Sequence, residues 1–527
     1  MDPISATLAF LGKAVDIVIG RQRAKQDERI HTEAMAVETR KAVALEQIAE
    51  RMARWEDGLP DAPPKIKDPF IEGKKLEEEY KYAEAIKQYE ACFQPETTDS
   101  QRAALHILIG NCFLDLSELL EAEGHYKEAE TAAKEANDNE GLAAALGNIG
   151  LIYQTKGELD KALDYLRQSL KIDREIGNRE GEAADLGNIG LIYQTKGELD
   201  KALDDHQQAL KIDREIGNPE GEASDLGNIG IIYQTKGELD KALDYHRQSL
   251  KIEREIGRKE GEASALGNIG LIYQTKGELD KALKLYEQVL KIEREIGRKE
   301  GEASALGNIG LIYQTKGELD KALNYNQQAL KIDREIGNRE GEAANLGNIG
   351  IIYRIKGELD KALKLYEQVL KIEREIGHRL GEASALGNIG IIYQTKGELD
   401  KGLEIYEQAL KINQDIGRKE GEAKALGNIG LIYQIKGEPD KALDYHQQAL
   451  KINQNIGRKE GEAKALGNIG IIYQTKGELD KALDYHQQSL KIFEEIGAKI
   501  EIAQTKQNIA NIRKLIKSSK GKKSDSV

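Results

Sequence analysis

The stretch LGNIGLIYQTKGELDKALDYLRQSLKIDREIGNREGEAAD, Leu146 to Asp185, decides the reading of this chain. Its opening, LGNIGLIYQTKGELDKAL, returns almost unchanged from Leu186, Leu226, Leu266, Leu306, Leu346, Leu386, Leu426 and Leu466, each time 40 residues on and without insertion. One such unit cannot bury its own apolar face, so stacked copies must share a continuous core. Nine copies occupy residues 143–499, and QNIANI keeps the register once more, with Asn508 in the place of Asn148.

Within a copy the pattern reads as two short helices. Leu146, Ile149, Gly150 and Tyr153 recur at i, i+3, i+4 and i+7, one face of a helix. Lys156-Gly157 stops it, glycine being suited to the left-handed position just past a helix end. The second helix opens with the acids of Glu158–Asp160, carries Leu159, Ala162, Leu163, Leu166, Leu170 and Ile172, and ends at Gly177.

This layout explains an unusual composition. Of 53 glycines, 44 fall at five repeat positions, those of Gly147, Gly150, Gly157, Gly177 and Gly181. Eight prolines, 39% hydrophobic residues and near-balanced charges (77 basic, 91 acidic) argue against a disordered or collagen-like chain. Gly147 and Gly150 lie inside a helix, where each costs about 1 kcal/mol relative to alanine. Close packing against a neighbour at Gly150, and an open groove at Gly147, are the expected reasons.

The flanks are less regular. GKKLEEEYKYAEAIKQYEACF from Gly73, and IGNCF from Ile109 with HYKEAETAAKEA from His125, read as two divergent copies over residues 70–142. Residues 57–69 hold Pro60, Pro63, Pro64 and Pro69 and read as a linker. Before them, residues 1–56 read as an apolar helix over residues 4–19 and a longer charged one. That segment is a cap on the first repeat, a pairing surface for a homo-oligomer, a membrane-surface anchor or an effector module; membrane contact is the less favoured reading. Residues 500–514 read as a capping helix and residues 515–527 as a basic, disordered tail, the stretch from Arg513 carrying net +5.

These residues resemble the tetratricopeptide repeat (TPR). Leu146 stands where that repeat usually has Trp, followed by Gly150, Tyr153, Gly157, Ala162 and the small-residue site at Ser169. The 40-residue form, with Asn-aliphatic-Gly before the Tyr, is similar to the repeats of kinesin light chain, of Pins-type adaptors and of long prokaryotic repeat proteins. The resemblance covers residues 70–514. It implies an all-α fold, a right-handed superhelix (α-solenoid) of stacked helix-turn-helix units. Departures are few: Gly402, Val289, Val369, Asp205, and Pro439 opening a second helix. Nothing from Arg513 onward resembles the G-protein-binding motifs of Pins-type adaptors, so that role is not implied.

The resemblance also implies a binding surface, the concave side lined by first helices. Beside the core face, Ala144, Asn148, Leu151 and Thr155 form a second stripe at spacings of 4, 3 and 4. In TPR proteins this stripe contacts peptides, and its Asn resembles a ligand-binding residue. The ladder is Asn148, Asn188, Asn228, Asn268, Asn308, Asn348, Asn388, Asn428 and Asn468. An amide offers donor and acceptor together, so a row of them can hold an extended backbone whatever its sequence; the alternative is that each Asn bonds a neighbouring helix. Where Ala144 stands, later copies carry Lys424 and Lys464, each four residues before an Asn, an arrangement resembling a carboxylate grip; the two readings are an anion pocket and ordinary solvated lysines.

Other functions are disfavoured. A net charge of −14 speaks against nucleic acid. Cys92 and Cys112 are too few for a disulfide scaffold or a Cys-based zinc site, which makes a reducing cytoplasm the default. His206, His246, His446 and His486 recur at one second-helix position, about 10 Å apart between adjacent repeats, too far to share a metal, and read as core. No nucleophile-base constellation or phosphate loop stands out. The expectation is a non-enzymatic scaffold or adaptor without cofactor that binds an extended or helical peptide segment of a partner protein in the concave groove. The alternative is a sensor-effector protein whose repeats control residues 1–56.

Overall fold

The computed structural model describes residues 64–524, with side chains over residues 65–517. The readings of residues 1–56 and of most of the linker therefore lie outside the described residues. Those described form 23 helices and no strand, from α1 (Pro64–Glu78) to α23 (Lys499–Ser524). They divide into two compact units, residues 64–296 and 297–524. In each unit, successive helices pack as antiparallel-type hairpins, every hairpin laid against the next.

One hairpin shows why the sequence folds this way. Helix α5 (Asn139–Thr155) is capped by Asp138, whose carboxylate accepts from the Gly141 N–H at 2.8 Å. It ends at Gly157, φ 76°, where the Glu158 N–H donates to the Tyr153 carbonyl and the Gly157 N–H to that of Gln154, both at 2.9 Å. This is the paired hydrogen-bond pattern that a left-handed glycine allows. Helix α6 (Leu159–Ile176) then returns and buries Ala162, Leu163, Leu166 and Leu170 against Ala183, Leu186 and Ile189 of α7 (Arg179–Thr195). The shared core of neighbouring repeats is thus built from one second helix and the next first helix.

The helical glycines separate into two kinds. A Cβ on Gly150 would lie 2.8 Å from Leu166 Cγ, one on Gly190 2.8 Å from the His206 ring, and one on Gly390 2.5 Å from Tyr406 Cε1. The divergent copies show the same contact, Gly73 on Tyr89 and Gly110 on Tyr126, at 2.7 and 2.6 Å. At Gly267, Gly387 and Gly427, by contrast, nothing lies within 4 Å. The bulky residue at the second-helix position is therefore what the glycine four residues past Leu146 admits. The histidines there, His206, His246, His446 and His486, are buried to 1% exposure or less, and no cluster that could hold a metal exists among the described residues.

The ends differ from the sequence reading. Helix α1 begins at Pro64, inside the proline-rich stretch, and contains Pro69. Pro64 opens the helix, where its missing N–H costs nothing, and burial of Ile66 and Phe70 to 2% and 1% exposure outweighs the hydrogen bond lost at Pro69. At the other end α23 runs to Ser524, ten residues beyond the expected end at Lys514. None of the helices among the described residues is long and apolar enough to cross a membrane.

The amino-terminal unit buries carboxyls where other copies have alanine. Asp225, on α9 (Pro219–Thr235), lies 2.9 Å from His206 Nδ1 and beside Asp213, both on α8 (Leu199–Ile216). Burial holds Asp225 well above the ordinary carboxyl value and, helped by Asp225, lifts Asp213 to about 7; Asn218 pulls the other way. In the carboxy-terminal unit Asn345 replaces Asp225 and donates to Asp333 at 2.7 Å.

Two predictions follow from this packing. Gly390→Ala adds a methyl where Tyr406 already stands and loses roughly 1–3 kcal/mol, whereas Gly387→Ala gains up to about 1 kcal/mol; chemical denaturation with local hydrogen exchange distinguishes them. A carboxyl whose folded pKa is raised favours folding most fully below its unfolded value, and that contribution fades as pH rises. Amides of residues 199–235 should therefore lose protection, corrected for intrinsic exchange, between pH 4 and pH 7, and Asp213→Asn with Asp225→Asn should flatten the profile. An unchanged profile in the double variant would refute this.

Candidate ligand-binding face

The stripe beside the core face is where first helices leave functional groups uncovered. In the amino-terminal unit Asn188, Asn228 and Asn268 are half-buried and make no hydrogen bond to another described residue. Asn308, Asn428 and Asn468 behave likewise in the carboxy-terminal unit. Their neighbours one turn on are aliphatic: Leu271, Leu311, Leu431 and Ile471 are half-buried, whereas Leu191 and Ile231 are buried. Such a face presents amide donors and acceptors beside apolar surface.

The other three asparagines depart from this pattern. Asn148 is 9% exposed. Asn348 donates through Nδ2 to Asn326 Oδ1 at 3.3 Å, from α15 (Arg339–Ile355) to α14 (Leu319–Ile336), the neighbour-bonding alternative realised at one position. Asn326 stands where other copies have His, Tyr or, once, Leu, and its amide reaches the Asn348 side chain. Asn388 is 1% exposed, and both of its amide atoms lack a partner. Asn148 and Asn388 are therefore less accessible than the other seven asparagines of the ladder.

Lys424 and Lys464 lie on the stripe, half-exposed, but neither is a bare cation. Lys424 Nζ is 3.1 Å from Glu420, one turn earlier on α19 (Lys419–Ile435), and Lys464 pairs with Glu460 on α21 (Lys459–Thr475) in the same way. Arg458 reaches Glu420 as well, at 3.2 Å. Burial lowers Lys424 from its ordinary value; Lys424 and Arg458 together hold Glu420 below its own, although burial alone would raise it. The sequence reading found the two lysines and missed Arg458, which precedes the stripe and belongs to the next repeat. It also passed over Ile355 and Ile435, both 42% exposed at the foot of the stripe where other copies have threonine. Comparing each repeat position down the nine copies would have found both.

Comparison with known proteins agrees with this architecture. A family model described as tetratricopeptide repeat matches residues 101–175, 182–255, 261–335, 341–415 and 421–495. No match is found among curated proteins. Similar solved structures include BtubC from P. vanneervenii (20% identity, 42% of this chain, 92% of that one, TM-score 0.38). The apo form of RapI is another (19% identity, 49% and 99%, TM-score 0.37). A third is a signal-transduction ATPase of the STAND class with a tetratricopeptide repeat sensor, from Pyrococcus horikoshii (17% identity, 69% and 54%, TM-score 0.50). With 40-residue hairpins of two helices stacked in both units and five matched segments spanning most of its length, this chain belongs to the tetratricopeptide repeat family.

Proposed function

We propose that this chain is a non-enzymatic, cytoplasmic adaptor whose first-helix face holds an extended segment of a partner protein. Repeats of this family serve as protein-interaction or sensor modules. One observation supports the finer reading: amides at 40-residue intervals, Asn188, Asn228 and Asn268 in one unit and Asn308, Asn428 and Asn468 in the other, lack an internal hydrogen bond yet are half-sheltered by apolar neighbours. A partially sheltered amide binds a peptide backbone more strongly than one in open water, because fewer competing waters reach it. A row of amides reads backbone rather than side chains, so selectivity must come from positions that vary between copies.

The test uses the full chain, tagged and recovered from its own cells, with the co-purifying proteins quantified by mass spectrometry. Asn188→Ala, Asn228→Ala and Asn268→Ala together remove three amides at about 1 kcal/mol each, so recovery of a groove-bound partner should fall at least tenfold. Gln208→Ala, Gln248→Ala and Gln288→Ala, on the exposed side of second helices, should leave it unchanged. Equal recovery by both triple variants would sink the groove reading.

A further inference from the structure

Helix α23 (Lys499–Ser524) is a first helix with part of its apolar surface exchanged for cations. Asn508, Ile509 and Ile512 keep the register of Asn148, Ile149 and Ile152; Ile509 and Ile512 are buried at 6% and 0% exposure, and α23 packs on α22 (Leu479–Glu495). Gly150 and Tyr153 meet the second helix of their own repeat through Leu166 and Tyr165. At those positions α23 has Ala510 and Arg513, and at those of Leu146 and Gly157 it has Lys506 and Lys517, all four exposed. With lysine in place of the left-handed glycine that stops other first helices, α23 runs on to Ser524. Lys520 follows Lys517 at helical spacing, and residues 506–524 hold seven cations and no acid.

A helix that closes a stack needs a polar outer face, and either sign of charge would serve. Exposed faces elsewhere mix the signs: Lys171 stands beside Glu175, Lys211 beside Glu215 and Lys251 beside Glu255, one turn apart. On α23 Lys506 pairs with Glu494 of α22 at 2.8 Å, whereas Arg513, Lys514 and Lys517 make no ion pair with another described residue. A shallow cleft between the two helices adds Lys491 to the same cationic side. The concentration of one sign is local, on a chain of net charge −14. Its composition also matters, since six of the seven cations are lysine. Arginine is the residue suited to the bidentate recognition of carboxylates and nucleic acid, whereas lysine is a hydrated point charge on a flexible stem, fit for a diffuse anionic surface.

We propose that the cationic face of α23 docks this chain on an anionic phospholipid surface. The contact is peripheral and electrostatic: the face carries charge where other copies carry core residues, and no described helix is long and apolar enough to cross a membrane. From Lys506 to Lys517 the stripe is about 16 Å long, enough for several headgroups at once. The acidic remainder of the chain is repelled by such a surface, but helices pack about 8–10 Å apart, and salt screens charges over about the same distance. A flat surface touching α23 from outside therefore meets its cations nearly unopposed. The asparagine stripes of the other first helices take no part, so this inference stands apart from the groove reading.

The experiment sediments the full chain with vesicles of phosphatidylcholine alone and with vesicles in which about a third of the lipid is phosphatidylserine. At low salt the chain should partition at least tenfold more strongly onto the anionic vesicles, and added salt should release it. Arg513→Gln, Lys514→Gln, Lys517→Gln and Lys520→Gln together should lower that partition at least tenfold. Lys171→Gln, Lys211→Gln, Lys251→Gln and Lys331→Gln remove the same charge from side chains 76–79% exposed and should leave it unchanged. Equal partition onto the two kinds of vesicle, binding that survives the first variant, or an equal fall in both variants overturns the inference. So does partition that high salt leaves intact, the mark of an inserted apolar segment. Single- and double-stranded oligonucleotides, and the chain without vesicles, complete the test. Nucleic acid bound as strongly as the anionic vesicles, or salt-reversible self-association that the first variant abolishes, gives the face another partner and overturns its assignment to lipid.

Discussion

Everything in this fold depends on how closely the two helices of one repeat approach. A helix that carries glycine at the position of Gly150 gives up helix propensity, and it recovers this only if the partner helix comes within the radius of a missing methyl. Leu166, the His206 ring and Tyr406 do so, at 2.5–2.8 Å from where a Cβ would be. Once that contact sets the hairpin, the second helix presents Ala162, Leu163 and Leu170 in a fixed direction, and the following first helix covers them with Leu186 and Ile189. The 40-residue period without insertion is the outcome, since any inserted residue would rotate one of these faces off the other.

That dependence accounts for what could be read in advance. Gly157, Gly150 and the buried histidines were legible because each answers to local geometry: a left-handed turn, a helix face, a residue facing a glycine. The exposure of the asparagine ladder was only partly legible. Asn148 and Asn388 share their stripe with half-exposed copies yet are 9% and 1% exposed, a difference that helical spacing does not encode. The reach of Arg458 to Glu420 was invisible to any helical-spacing rule, because it joins residues 38 apart across two repeats. Helix α1 eluded the reading for a different reason: proline density signals a loop locally, whereas the burial of Ile66 and Phe70 is a property of the core they join.

Ionic contacts in the array fall into two classes that should not be weighed alike. Lys196–Asp160, Lys236–Asp200 and Lys476–Asp440, at 2.6–2.7 Å, recur with a spacing of 36 residues, but their aspartates are at least 85% exposed. Pairs so open to solvent are worth little, about 0–1 kcal/mol, and their regularity reflects the repeat more than it stabilises it. The pairs at the start of first helices are different, since Glu253 is only 4% exposed and Glu373 11%. Leaving one partner of such a pair uncompensated is costly, which is why the residues change together: Asn with Asp, Arg or His with Glu.

Near-identical copies act as internal controls. Because backbone, helix length and turn geometry are held constant, a residue that differs between copies can be assigned to the difference it makes. Asn326 in place of a ring or leucine brings an amide to the Asn348 side chain; Asp225 in place of alanine places a carboxyl against His206. By the same reasoning the change from Glu253 to Asn413 and Asn453 is informative because the arginines beside them did not change too. Had the acids drifted to amides in the absence of any other demand, a return to the Asn cap of Asn178 would have satisfied the helix start, whose N–H groups Asn caps and Arg does not. Keeping arginine at an uncapped helix start after the acid of the preceding second helix has become an amide is a combination that packing alone does not favour.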